Sequence, residues 1–258
     1  MKRIVKLIVV AMVALFYSPL MPMLNAQSYD DLWKQLREAQ RKSLPQTVIQ
    51  VADQLYEKAL QEKNAGELFR AYLTKVNTQE KLTPDSLYYR YARMEEWLKT
   101  EPDAMNRAIL HSLLAQGYAE YMNENRRALM NRTDLVGEVP ADIREWTANI
   151  FIEKTDAHAL ASLDDEELLL RTKTDDYTPF VIQGKGSDYF GHDMFHLLLK
   201  RALSAYGKMN LEQAEELRTE HEEALLMRLM KAYEGKNSDA LVLAKLDYWS
   251  WQMQQGVQ

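Results

Sequence analysis

The chain has 258 residues, 47% of them apolar and 27% charged, with a formal charge of −6 and no cysteine. Without cysteine there is no disulfide framework, no thiolate metal site, no thiol nucleophile and no Cys to carry a lipid anchor. An acidic balance argues against nucleic acid or anionic lipid as a partner, because like charge repels both.

Lys2, Arg3 and Lys6 precede an uncharged apolar run over residues 7–17, the pattern of a secretory signal peptide. A membrane span needs roughly 20 apolar residues, and Pro19 and Pro22 interrupt this one. Ala26 offers a small residue for cleavage before Gln27, although Leu24, three before the cut, is not small. Residues 1–26 are therefore read as a signal peptide and 27–258 as a protein exported to the periplasm or cell surface. No membrane insertion is expected after cleavage, the alternative being an uncleaved anchor helix. Loss of three positive charges takes the mature chain from −6 to −9.

Nine glycines and seven prolines are few for this length, and most fall between stretches whose apolar residues recur three and four apart. The fold class is all-α. Ser28 opens a first helix with Leu32, Trp33, Leu36 and Ala39 on one face, and Ser43 with Pro45 opens a second through Val48, Ala52, Leu55, Tyr56 and Ala59. Asn64 and Glu67 have capping-box spacing before Leu68, Ala71 and Tyr72. Thr83 and Pro84 begin a fourth helix, through Tyr91 and Met94, and Asp103 a fifth, through Ile109, Leu113, Tyr118 and Tyr121.

Residues 131–139 read as a break between two lobes, 27–135 and 139–258. Pro140 is expected to start a helix containing Ile143, Trp146, Ile150 and Phe151, and Asp164 to cap a short one ending near Leu170. Residues 171–187 lack helical periodicity. A loop of that length is often functional; the preferred reading of its structure is an ordinary connection pinned to the core by Phe180 and Ile182. Helices over about 188–206, 210–234 and 238–253 complete the chain, with Gly235 ending the second. Short connections join amphipathic neighbours as αα-hairpins. The architecture is an irregular stack of αα-hairpins; Leu113, Gly117 and Tyr118 leave tetratricopeptide units open, but no signature recurs at a period of about 34 residues.

One pattern could carry chemistry. His192 and His196 stand four apart with Asp193 between them, and two such histidines on one helix face can hold zinc while an acid serves as base. A third ligand would come from Glu215, Glu216, Glu222, Glu223 or His221. Against this, His196 is in line with Leu199 and Leu203, so packing explains the stripe equally and is the preferred reading; no metal or cofactor is assigned. His111 and His158 are isolated and read as structural. The acidic run from Asp164 to Glu167 suits a helix N-terminus. Tyr248, Trp249 and Trp251 read as core packing against the preceding helix, with a binding surface as the alternative.

Several segments, SYDDLWKQLREAQRKSLPQTVIQ from Ser28, LTPDSL from Leu82, NRAILHSLLAQGYAEY from Asn106, PADIREW from Pro140, YTPFVIQG from Tyr177 and YFGHDMFHLLLKRA from Tyr189, resemble the N-terminal region of the large alpha-2-macroglobulin-like proteins exported by Bacteroidetes bacteria. The resemblance implies a helical region preceding β-sandwich domains in a family that traps proteases with a bait segment and, in many members, a Cys–Gln thioester. Lacking cysteine, this chain cannot trap covalently by itself, and no inhibitory residue carries over. The expected role is a non-enzymatic interaction region that presents helix faces and the 171–187 loop to a protein partner, such as the macroglobulin domains of a longer chain. A metal-dependent hydrolase built on His192 and His196, or a free-standing envelope adaptor, is the alternative.

Overall fold

The structure, a computed structural model, describes residues 27–83, 86–133, 137–235 and 238–256. The expected signal peptide, residues 1–26, and Pro84 lie outside them. The described residues form eleven α-helices and short 3-10 turns with no strand, so the fold is all-α. They fall into two compact units that meet in sequence at Leu82 and Thr83.

The first unit contains α1 (Tyr29–Arg41), α2 (Pro45–Glu62) and α3 (Ala65–Leu82). Ser28 caps α1 by accepting from the Asp31 amide, and Pro45 occupies the first turn of α2, where its missing N–H costs no intrahelical bond. Leu32, Trp33, Leu36 and Ala39 of α1 meet Val48, Val51, Ala52 and Leu55 of α2, with Ala71 of α3 closing the cluster. Asn64 accepts from the Glu67 amide at 3.1 Å. The capping box is half made: the Glu67 carboxylate instead takes the Trp33 indole N–H at 2.6 Å, while Arg70 lies 3.7 Å over the same ring.

The second unit contains α4 (Ser86–Thr100), α5 (Ala104–Glu124), α6 (Arg126–Met130), α7 (Ala148–Ala161), α8 (Glu166–Arg171), α9 (Met194–Lys208), α10 (Glu215–Tyr233) and α11 (Asp239–Gln255). Helix α5 packs against α4, α7 and α9. It is apolar nearly all round, as a helix enclosed by neighbours must be: Ile109, Leu110, Leu114, Ala115, Tyr118, Ala119 and Met122 are all buried. Tyr118 stacks on Tyr91 of α4 at 5.0 Å and meets Trp146 at 5.2 Å.

Three expectations are corrected. The boundary is at Leu82, not at residues 131–139: α5 and α7 flank that stretch in sequence and pack on each other, so the core runs across it. Pro140 starts no helix. Trp146 donates to the Pro140 carbonyl at 2.7 Å, and Arg132 donates to the carbonyls of Arg144 and Trp146, holding a loop with one 3-10 turn until α7 begins after Thr147. The helix expected from residue 188 begins at Met194.

Gly117 sits in the middle of α5 with its carbonyl accepting from Tyr91 Oη at 3.1 Å, and a Cβ there would overlap the Tyr91 ring. That ring is buried and stacked, so it cannot swing aside. Gly117→Ala is expected to destabilise the protein by about 1–3 kcal/mol through overpacking, although alanine gains roughly 0.5–1 kcal/mol over glycine in an open helix. A urea midpoint equal to or above the parent's would contradict this packing.

Candidate functional site

The long loop after α8 is closed at its base by two backbone bonds. Thr174 N–H donates to the His192 carbonyl at 3.1 Å and Met194 N–H to the Thr172 carbonyl at 2.9 Å, which pairs Lys173 with Asp193 as an isolated bridge. Thr174 and Tyr177 are the buried residues of the loop. Of the expected anchors, Phe180 is half-buried, but Ile182 is 80% exposed and does not serve.

Asp193 ends the loop as the N-cap of α9. Its Oδ1 accepts from the His196 amide at 2.8 Å and its Oδ2 from Tyr233 Oη of α10 at 2.7 Å. Gly191 allows this approach, since a Cβ would run into Tyr233 Oη. Its N–H donates to His196 Nδ1 at 2.9 Å. The spacing of His192 and His196 therefore does not make a helical metal pair. His192 is exposed and precedes the N-cap, while His196 lies in the first turn with Nδ1 occupied. Asp193, read as a base, is engaged in capping.

Three of the proposed third ligands are also engaged, and Glu215 and Glu216 are exposed. Glu222 accepts from Trp251 Nε1 at 3.0 Å, Glu223 from Tyr248 Oη at 3.3 Å, and His221 Nδ1 lies 2.6 Å from Asp156. Among the described residues, no three His, Asp or Glu side chains converge to hold a metal.

His196 itself is the unusual group. It is 1% exposed, and Phe190 edge-on at 5.0 Å and Tyr233 at 5.6 Å fix its ring. Because Nδ1 accepts, Nε2 carries the proton of the neutral ring, and among the described residues no group accepts it. Burial pushes the pKa of His196 down to about 4. A buried donor without an acceptor costs roughly 1–3 kcal/mol. His196 lines a cavity of about 300 Å³ between the loop and α9, whose walls include Val181, Ile182, Phe190 and Leu197.

Two other polar clusters are internally satisfied. His111 and His158, isolated in sequence, meet Nδ1 to Nδ1 at 2.7 Å, and His158 Nε2 lies 3.2 Å from Glu95 Oε1. With both rings neutral, His158 Nε2–H points at the carboxylate and His111 donates to His158. Tyr118 and Lys154 also donate to Glu95, at 3.0 and 3.1 Å. The bond from His158 leads in holding Glu95 down at about 2, and burial pushes His111 to about 4. The second cluster joins α9, α7 and α10: Tyr206 Oη donates to Asp156 at 2.5 Å beside His221.

The acidic run behaves as a helix start, with Asp165 rather than Asp164 as the cap accepting from the Leu168 amide. The aromatic cluster of α11 divides. Tyr248 and Trp251 stack at 6.2 Å and bond to α10, but Trp249 is 55% exposed. With it, Val242 (57%), Leu246 (49%) and Met253 (65%) form one outward stripe that the sequence reading missed. Its spacing of four, three and four residues was there to be read.

Comparison with protein-family models, curated proteins and solved structures returns no match. The macroglobulin-like resemblance thus rests on the quoted segments alone.

The two depressed histidines set a pH dependence. An unfolded histidine titrates near 6.5 and these near 4. Between those values the unfolded chain binds protons that the folded one refuses, so their contribution is complete above about pH 6.5 and is lost as pH falls towards 4. Glu95, lowered from 4.5 to about 2, contributes above 4.5 and loses that contribution below it. In an NMR titration the ring protons of His111 and His196 should stay at their neutral shifts down to about pH 5. A midpoint near 6.5 for either would refute the burial argument.

Proposed function

We propose that this chain is a non-enzymatic, exported helical interaction region, and that its partner surface is the outward face of α11. The helix pairs serve as irregular αα-hairpins that hold this face. The observation that carries the reading is the stripe of Val242, Leu246, Trp249 and Met253, four large apolar side chains about half or more exposed on one helix. Contiguous apolar exposure of this kind marks an interaction site, and its spacing is that of a coiled-coil seam.

The occupant is an apolar-striped helix of another protein with basic flanks. Asp239 and Asp247 outnumber Lys245 on α11, Glu222 and Glu223 lie beside it on α10, and the mature charge is −9. Like charge disfavours a second copy and favours a cationic partner. The resemblance of the quoted segments to macroglobulin-like proteins supports a role beside such a protein, in which this chain supplies contact and not covalent trapping. No described helix is long and apolar enough to cross a membrane.

Photocrosslinking tests this. With p-benzoylphenylalanine in place of Trp249, irradiation of producing cells should join the chain to a partner segment that is helical, apolar at heptad spacing and rich in Lys or Arg. Leu246→Asp in the same chain should reduce the yield by about ten-fold. Cross-links confined to a second copy, or equal in yield to those from exposed Arg126, would overturn the proposal.

A further inference from the structure

The cavity beside His196 is independent of the α11 face and has the features of a ligand site. Its volume of about 300 Å³ is at the small end of the range for small-molecule pockets. Such pockets combine apolar walls with a few placed polar groups. Here Val181, Ile182, Phe190 and Leu197 supply walls, and His196 supplies one donor whose direction is fixed on its far side by the Gly191 amide.

We infer that this cavity binds a small, uncharged, mainly apolar molecule through one carbonyl oxygen, which accepts from Nε2 of His196. The carbonyl completes the bond that the protein leaves unmade. An uncharged ligand fits the local electrostatics. The cation on the cavity wall, Lys200, is already paired with Asp247 at 2.7 Å, and the imidazole beside it is neutral at physiological pH because burial depresses its pKa. A carboxylate would be partly desolvated in this cavity, and the lining Lys200 is already committed to Asp247. Phe190 and Tyr233 hold the ring from two directions, so the donor is oriented before the ligand arrives and little ordering is left to binding.

The test uses the full chain with the fluorescent ketone 6-propionyl-2-dimethylaminonaphthalene and its 6-propyl analogue, which lacks the carbonyl. The ketone should bind saturably, one per chain, with emission shifted to the blue. It should bind at least about ten-fold more tightly than the propyl analogue, because the analogue leaves the buried donor unpaired. His196→Gln also removes the acceptor for Gly191, so the deciding readout is taken on the unaltered protein. In histidine-¹⁵N-labelled chain, the Nε2–H resonance of His196 should move at saturation with the ketone and stay in place with the propyl analogue. Absence of saturable ketone binding, equal affinity for the two probes, or an unmoved His196 resonance would each overturn the inference. So would tighter binding of the corresponding naphthalene carboxylate.

Discussion

Burial of α5 on nearly every side is the constraint on which the second unit depends. A helix with no polar face has no stable exposure to water, so α4, α7 and α9 must cover it, and their own apolar stripes are used in doing so. Small residues set how close the neighbours come. Gly117 gives room for the Tyr91 ring, while Ala115 and Ala119 are fully buried on the same helix. Tyr118 then sits between Tyr91, Trp146 and Phe151 as the centre of an aromatic cluster. This packing does not require α11 to give up its outer face, and it is there that apolar side chains remain in water.

Polar groups taken into this packing had to be paired, and the pairing separates structure from candidate function. Glu95 takes bonds from Tyr118, Lys154 and His158, and Asp156 takes bonds from Tyr206 and His221. Arg201 donates to Ser112 at 2.8 Å, its carbonyl accepts from Gln116, and Lys208 reaches Gln116 and Glu120. These clusters tie α5, α7, α9 and α10 together with their hydrogen-bonding capacity used internally. His196 differs because one nitrogen is held by the backbone and the other has no partner among the described residues, in a side chain that lines a cavity. Buried donors are usually satisfied; Thr155 Oγ1 and Arg218 Nε are also without a partner, and His196 is set apart from them because it lines a cavity.

Much of the fold was legible because local signals and burial agreed. Ser28, Asp103 and Ser238 cap the helices expected of them, and Gly235 adopts the positive φ that ends α10. Reading failed where tertiary bonds override periodicity. Ile143 and Trp146 are both buried, as a helical stripe would have them, yet the Pro140 carbonyl and Arg132 hold that stretch as a loop. At His192 and His196 the error was to continue a helix through Gly191 and Asp193. The cap signature of Asp193 was visible, but the Tyr233 hydroxyl that binds it comes from 40 residues away and cannot be read from spacing. The same holds for His111 and His158, which are 47 residues apart in the chain and adjacent in the fold. The α11 stripe was legible in its spacing, but whether it faced the core or water depended on which side the tight contact through Ala240 and Ala244 left free.

Backbone hydrogen exchange measures the central constraint most directly. If α5 is the element on which its neighbours depend, amides over residues 114–121 exchange only when the whole unit unfolds, with an opening free energy equal to that from denaturant unfolding, while those over residues 182–190 open locally at much lower cost. Amides in the middle of α5 that open well below the global free energy would contradict the account.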